Sequence, residues 1–441
     1  MHHDKKHVST LFLCFALFLF TSIAHATPEI TDERATAAYW TQRNVQGDVP
    51  FLNAEQIAAV NTAIRAKDST ITDLRALPTE MTGAEVHARI IAARSDGGYG
   101  EATTPEVYEN GAPLSASTYQ NARANCNLQA LTSTVSLRYG VVLRRANLRI
   151  LPHEAGWFES PNDVHYDDLQ ATALDPAEPL AVLWNSADGR FSFVICRNYA
   201  GWLARADFVE TNREMWMTYV QPETFAVVLA NKKSVTLPNG ESVLLQMGTK
   251  IPATENGGQM ELTLPMQQQN TLVLAKITVP ADDSIRMGFL PCTENNFIRQ
   301  GFRFLGDVYG WGGMDDSVDC SAFVGDVYRS MGIELPRDAD HQARALPKVA
   351  WLSGNYNQRL ATLETFPSGA LLANATHIML YLGEDANGTP MVLQAMSSYF
   401  TFENGQRQKH YLRKVIASTV DFPNVNDVPY LDGVQVLGAL R

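Results

Sequence analysis

The 441-residue chain has no run of basic residues and no patch in which basic and aromatic side chains interleave. That excludes the electrostatic footprint of a nucleic-acid binder. The net charge is −12 and the isoelectric point about 5.3, so nothing draws the chain to anionic polymers or membrane surfaces. Cysteine is scarce, with five residues, and none stands at a His/Cys spacing that would hold zinc. Neither a metal nor an organic cofactor is called for. Charged residues make up only 19% and hydrophobic ones 45%, a balance that describes globular protein rather than disorder. Beyond residue 26 there is no apolar run long enough to span a bilayer.

The apolar run that is present lies at the start. Lys5 and Lys6 precede a core from Leu11 to Ile23, and Ala24-His25-Ala26 fits a small-x-small cleavage site. Residues 1–26 are therefore predicted to be an export signal, with the mature chain starting at Thr27 and no membrane insertion remaining after cleavage. Such a protein is exported, to a periplasm or to the medium. Cys14 leaves with the signal, and Cys126, Cys196, Cys292 and Cys320 remain. If Cys320 stays free, at least one of the other three is unpaired.

Hydrophobic periodicity divides the rest. Residues 27–131 are predicted to be mainly helical, with Ile57, Val60, Ile64 and Ile71 to Leu74 on one amphipathic stretch. Val86, Ile90 and Ile91 mark a second, and Tyr119 to Leu131 a third. A loop rich in Gly, Thr and Pro runs from Ala93 to Pro113. From Thr132 short strands alternate with turns: Val141 to Leu143, Leu180 to Trp184, Phe191 to Ile195 and Gly201 to Leu203, with a hairpin turn at Asp188-Gly189. A similar pattern runs from Met217 to Val279, with Asn239-Gly240 as its turn. Two small barrels are predicted, at residues 132–210 and 211–282. Residues 283–441 read as helices followed by antiparallel strands, an α+β unit.

The chemistry concentrates in that last unit. Phe323, Val324, Val327, Tyr328 and Met331 share one helical face, and Gly332 follows as a stop. Asp319 stands at the N-cap, which puts Cys320 in the first turn. There unpaired amides and the helix dipole are expected to favour the thiolate and lower the thiol pKa. A nucleophilic thiol needs a base, and that base needs an orienting group. Among the histidines only His377 opens an apolar strand. On the next strand Gln394, between Leu393 and Ala395, is a polar residue whose amide oxygen could fix an imidazole.

These residues stand in the order Tyr309-Gly310-Trp311-Gly312-Gly313, Asp319-Cys320-Ser321-Ala322-Phe323-Val324, Leu335-Pro336-Arg337, Ser368-Gly369-Ala370-Leu371-Leu372 and His377 to Gly383. That series resembles the NlpC/P60 cysteine peptidases. The upstream segments, including Leu148 to Pro152, Gly201-Trp202 and Asn110 to Ser115, are similar to a sub-group in which a helical domain and two bacterial SH3-like barrels precede the peptidase. The resemblance implies a papain-like fold that hydrolyses peptidoglycan stem peptides between γ-D-glutamate and a diamino acid, either meso-diaminopimelate or lysine. It assigns Cys320 as nucleophile, His377 as base and Gln394 as third polar residue, with Tyr309 near the oxyanion. It places Asp319, Ser321, Arg337 and Asp338 at or near the substrate pocket. It also implies that the first barrel narrows the groove, favouring stems with a free N-terminal L-Ala. Asp319 is the first candidate to hold that ammonium, with Tyr166, Asp167 and Asp168 behind it. The chain departs from the family pattern at Val308, Ala370, Met379 and Gln394.

Two other classes stand beside this reading. One is a non-catalytic peptidoglycan-binding SH3 protein, which a retained Cys320 and His377 disfavour. The other is an amidase or acyltransferase of the same superfamily. The order Cys before His argues against the permuted lecithin-retinol type.

Overall fold

The computed structural model describes residues 27–441; the predicted export signal lies outside them. Among the described residues no helix is long and apolar enough to cross a membrane. The architecture is mixed α and β, with a helical start, two β-rich units and a C-terminal α+β unit.

The first helices are Ala37–Arg43, Ala54–Lys67, Gly83–Asp96 and Ala116–Ala124. Each opens on a side-chain N-cap: Thr36, Asn53, Thr82 and Ser115. Asn53 and Thr82 complete capping boxes with Gln56 and Glu85. Their buried faces go to two different cores. Trp40, Ile64 and Ile71 join the core of the C-terminal unit, with Phe297, Phe323 and Leu380. Val86, Ile90, Tyr119 and Ala122 instead pack with Trp157, Phe193 and Trp202 of the first β unit. The predicted amphipathic stretch through Leu74 breaks at Lys67, because Asp68 takes an extended backbone and turns the chain. The predicted third helix starts three residues early and stops at Ala124.

The first β unit is a seven-stranded antiparallel sheet. Its order is Phe208–Thr211, Arg138–Val142, Pro179–Asn185, Phe191–Ile195, Ala200–Ala204, Ala146–Arg149, Gln170–Leu174. The Asp188-Gly189 turn joins two of its strands, with Gly189 at φ +70°. A long loop between Arg149 and Gln170 carries Trp157 and Tyr166 to Asp168.

The second unit opens with the helix Arg213–Val220, so Met217 is helical rather than part of a strand. Its five-stranded sheet runs Thr271–Pro280, Gln259–Gln268, Lys250–Asn256, Phe225–Val228, Ile285–Met287. The Asn239-Gly240 hairpin pairs Lys232–Thr236 with Ser242–Gln246. The strand Gln259–Gln268 was hidden from sequence reading by its Gln, Glu and Thr residues, which occupy the more open positions while Met260, Leu262 and Leu264 face in.

In the C-terminal unit six antiparallel strands run in the order Lys348–Trp351, Val436–Ala439, Leu371–Ala373, Ile378–Glu384, Pro390–Glu403, Gln406–Thr419. The helices Glu294–Phe302 and Cys320–Arg329 cover one face of this sheet. Both faces are buried: Ile378, Leu380 and Leu382 point into the helix core, while Met379 and Tyr381 join a second apolar cluster. That is why His377 is followed by a continuous apolar run instead of an alternating one.

Candidate active site

Asp319 caps the Cys320–Arg329 helix, its Oδ1 accepting from the Ala322 amide at 2.8 Å. Phe323, Val324, Val327, Tyr328 and Met331 are all buried on the predicted face. Gly332, at φ +81°, ends the turn after it. Cys320 thus sits at the first helical position, almost fully buried, and its sulfur accepts from the backbone amide of Ile378. The thiol therefore abuts the residue after His377.

The hydrogen-bond network sets the imidazole tautomer. Ser418 Oγ donates to the Thr419 carbonyl at 2.9 Å, so it accepts from Gln394 Nε2 at 2.6 Å. Gln394 Oε1 then faces His377 Nε2 at 2.7 Å, which makes Nε2 the protonated nitrogen. Nδ1 remains as the free acceptor. Gln394 is wholly buried with both ends of its amide satisfied. The backbone amide of His377 donates to Asn374 Oδ1 at 2.9 Å. Burial pulls the His377 pKa below its ordinary value, partly offset by Gln394.

The thiol departs from expectation in sign. Burial, with the charge of Asp319 beside it, pushes Cys320 up to about 12, against the pull of the Ile378 and Ser321 amides and Arg337. Burial is the larger reason, and the cap adds to it. Asp319 takes up a helix amide that would otherwise favour a thiolate, and it adds a negative charge at the same point. Cys126, Cys196 and Cys292 are free, buried thiols, each also pushed up to about 12 by burial.

Asp319 is fully engaged. Its oxygens accept from Ala322 N, Ser321 Oγ, Gly312 N and Arg337 Nη2. Those four donors use the lone-pair positions of a carboxylate. Arg337, itself buried, reaches Asp319 and Ser321 at 2.5 Å and Thr172 of the first β unit at 2.8 Å. It holds the Asp319 carboxyl below its usual range against the opposing effect of burial. Tyr309 is buried near the thiol; burial and the negative charges of Cys320 and Asp319 raise its pKa, so it stays a neutral donor.

Tyr166 reaches this site from the first β unit. Its ring lies 6.3 Å from Tyr309 and 6.0 Å from Trp311, and its hydroxyl shares a hydrogen with Ser397 Oγ at 2.6 Å. Its two neighbours do not join it. Asp167 is buried on Arg149 and on the amides of Trp157 and Leu169. Asp168, half-buried, takes a bond from Tyr99 Oη, and burial with the charges of Glu159 and Asp167 pushes it up to about 6. Asp338 is exposed at the head of the Ala339–Ala345 helix.

The glycine run before the thiol seats the first β unit. Gly312, at φ +56°, would place a Cβ 2.6 Å from Gln170 Cγ and 2.8 Å from the Gln170 carbonyl. Gln170 Nε2 donates to the Gly312 carbonyl at 3.0 Å, and Arg145 donates to the Ser317 carbonyl at 2.8 Å. At the far end of the thiol helix Arg329 pairs with Asp175 at 2.8 Å. Sequence reading passed over Asn374, Ser418 and Tyr430, whose ring lies 6.0 Å from His377. Only Asn374, three residues before His377, carried a local signal, as a turn-forming residue.

A buried thiol at a helix start, bonded to the backbone next to an amide-oriented imidazole, is an arrangement that suits a cysteine hydrolase. The comparisons with known proteins narrow the class. A model of the NlpC/P60 family matches residues 306–417, and one of the SH3 domain of the SH3b1 type matches residues 157–204. The chain thus carries an NlpC/P60 domain, that of a family of cysteine peptidases, together with a bacterial SH3 domain. Over 155 residues it is 29% identical to the gamma-D-glutamyl-L-lysine dipeptidyl-peptidase of Bacillus subtilis (strain 168), covering 34% of this chain and 47% of that protein. The chain therefore spans about half the length of the curated relative it matches. Its fold is similar to that of an NlpC/P60 endopeptidase from Photobacterium damselae subsp. piscicida, with a TM-score of 0.73 and 17% identity over 93% of this chain and 97% of that one.

Proposed function

We propose that this protein is an exported endopeptidase that cleaves peptidoglycan stem peptides between γ-D-glutamate and the following diamino acid, meso-diaminopimelate or lysine. The observation that carries the reading is the relay from Ser418 through Gln394 to His377, which leaves Nδ1 as a base toward Cys320. The name of the Bacillus subtilis relative supports the choice of bond.

In this mechanism both partners rest neutral. The Cys320 proton passes to His377 Nδ1 as sulfur attacks the γ-amide carbonyl. The Cys320 amide N–H and the Tyr309 hydroxyl stabilise the oxyanion, each worth roughly 3 to 4 kcal/mol. The imidazolium then protonates the leaving amine, and water attacks the thioester with His377 as base. Tyr166, leaning over Tyr309 and Trp311, closes the groove on the side where the stem's N-terminus would lie. In this reading the free L-Ala ammonium lies on the Tyr166 side. Asp319, whose acceptor positions are already taken, shapes that end of the site through Arg337 and Ser321 and does not bind the ammonium directly. A muramyl group on the L-Ala nitrogen is, in this reading, excluded by Tyr166.

The test is digestion of defined muropeptides followed by mass spectrometry. Cys320→Ala is expected to abolish release of peptides beginning with the diamino acid. Stems acetylated at L-Ala, or still attached to muramic acid, are expected to resist the wild-type enzyme. Full activity of the alanine variant overturns the mechanism. Equal rates on free and blocked stems overturn the gating.

A further inference from the structure

Gln394 fixes one nitrogen of His377, but a single hydrogen bond leaves the ring free to rock about that contact. The structure supplies a second constraint from outside the residues matched to the family. Tyr430 opens the short helix Tyr430–Gly433, just before the strand Val436–Ala439. Its ring lies 6.0 Å from the His377 ring at an interplanar angle of 84°. Phe422 stacks on Tyr430 at 4.7 Å and 28°. Asn374 Nδ2 donates to the Tyr430 hydroxyl at 3.2 Å, and the same Asn374 accepts the His377 backbone amide through Oδ1. Tyr430 is itself tethered: its amide donates to the Phe422 carbonyl at 2.9 Å, and Gln435 nearby donates to the Ala373 carbonyl at 2.9 Å.

We propose that Tyr430 is a positioning residue for His377. Its ring stands edge-to-face to the imidazole, and this ring contact is the constraint; the bond from Asn374 to its hydroxyl is secondary. Edge-to-face aromatic pairs hold a defined angle, so the contact resists rocking of the ring. Tyr430, stacked on Phe422, adds aromatic surface beside His377, consistent with the burial that keeps His377 neutral. The titratable groups around His377 are Tyr430, in ring contact with it, and the Cys320 thiol, bonded to the adjoining Ile378 amide; Gln394 and Asn374 are uncharged. Among the described residues no carboxylate lies within ion-pair distance of His377. The proposal rests on the reading of Cys320 and His377 as the reacting pair, and not on the choice of a peptidoglycan substrate.

The experiment compares wild type, Tyr430→Phe and Tyr430→Leu in the full chain, by three measurements. The first is kcat and KM on an L-Ala-γ-D-Glu-diamino acid peptide. The second is the pH dependence of Cys320 alkylation by iodoacetamide, localised by mass spectrometry, which needs no substrate. The third is circular dichroism. Tyr430→Leu is expected to lower kcat up to roughly a hundredfold, the scale of a small misplacement of a reacting group, with KM unchanged. Its alkylation rate should fall, on the acid side, at a pH nearer the ordinary imidazole value of about 6.5, because water now reaches His377. Tyr430→Phe keeps the ring and should retain most of the rate and the wild-type acid limb. Should the leucine variant not fold, Tyr430→Met takes its place. A leucine or methionine variant with wild-type kcat and an unmoved acid limb overturns the proposal, as does a phenylalanine variant that loses as much as leucine. If wild type ignores the peptide but alkylates with a clear acid limb, the substrate reading fails and the alkylation series alone decides this one.

Discussion

Arg337 is the residue whose removal should reveal most about how the site is held. Its side chain is 9% exposed and that of Asp319 8%, with 2.5 Å between Nη2 and Oδ2. Arg337→Met would fill the volume but leave a buried carboxylate without a counter-charge, and it would strip one donor each from Ser321 and Thr172. Breaking one side of a buried pair costs about 3 to 5 kcal/mol. At the usual conversion for a domain of this unit's size, the thermal midpoint should fall by roughly 6 to 20 °C. The dependence on pH supplies the sign. In wild type the Asp319 pKa is depressed, so its contribution is complete above the unfolded value of about 3.9 and is lost as pH falls through the folded value. Without Arg337, burial would raise that pKa above 3.9. The folded state would then bind the extra proton, and stability would rise as pH falls toward 3.9. Asp319→Asn combined with Arg337→Met strands no charge and should recover more than half the loss. Thermal unfolding of the three proteins between pH 4 and 8 is the assay. A single variant that loses less than about 1 kcal/mol, the range of an exposed pair, refutes the reasoning. So does a double variant no better than the single.

Two further outcomes follow from the same geometry. Gln394→Ala frees the imidazole and leaves Ser418 without its donor, and should lower kcat up to roughly a hundredfold with little change in KM; Gln394→Glu puts a charge beside His377 and should move the acid limb of kcat/KM upward. Gly312→Ala forces a Cβ into Gln170 at a left-handed backbone position, at a cost of about 1 to 3 kcal/mol. It should loosen the SH3 domain from the thiol loop, so that discrimination between free and blocked stems falls more than the rate on free stems.

What could be read from sequence was what depends on neighbours along the chain. Asp319, the apolar stripe and Gly332 mark both ends and the buried face of the thiol helix, because caps and periodicity are local. His377 and Gln394 could be paired on paper because adjacent antiparallel strands carry them. Ser418 and Tyr430 could not. Ser418 arrives from the next strand along the sheet, and Tyr430 is brought near His377 only because the last strand inserts between Lys348–Trp351 and Leu371–Ala373. The same limit applies to the first helices. Periodicity shows that Ile64 and Ile90 will be buried, but not that they enter different cores. The glycine run was visible as an approach to the thiol. Its seating against Gln170 and Ala173 depends on a partner about 140 residues away.

The sharpest divergence is the charge state of the thiol, and it has a measurable consequence. A helix start by itself favours a thiolate, through free amides and the dipole. Here that end is occupied by a carboxylate, the sulfur is almost fully buried, and the orienting group on His377 is a neutral amide instead of a second carboxylate. Each factor opposes a resting thiolate–imidazolium pair: burial penalises both charges, Asp319 repels the thiolate, and Gln394 stabilises an imidazolium less than a carboxylate would. A neutral pair needs His377 deprotonated and Cys320 protonated. The acid limb of kcat/KM should therefore follow a depressed imidazole, below about 6.5, and the alkaline limb should move toward the raised thiol near 12. An ion pair reverses the assignment, with a thiol titrating on the acid side and an imidazolium on the alkaline side. The difference in ultraviolet absorption between wild type and Cys320→Ser at neutral pH separates the two, since only a thiolate contributes the band. A thiolate band at pH 7 that vanishes in Cys320→Ser would show that the helix amides outweigh Asp319 and burial together.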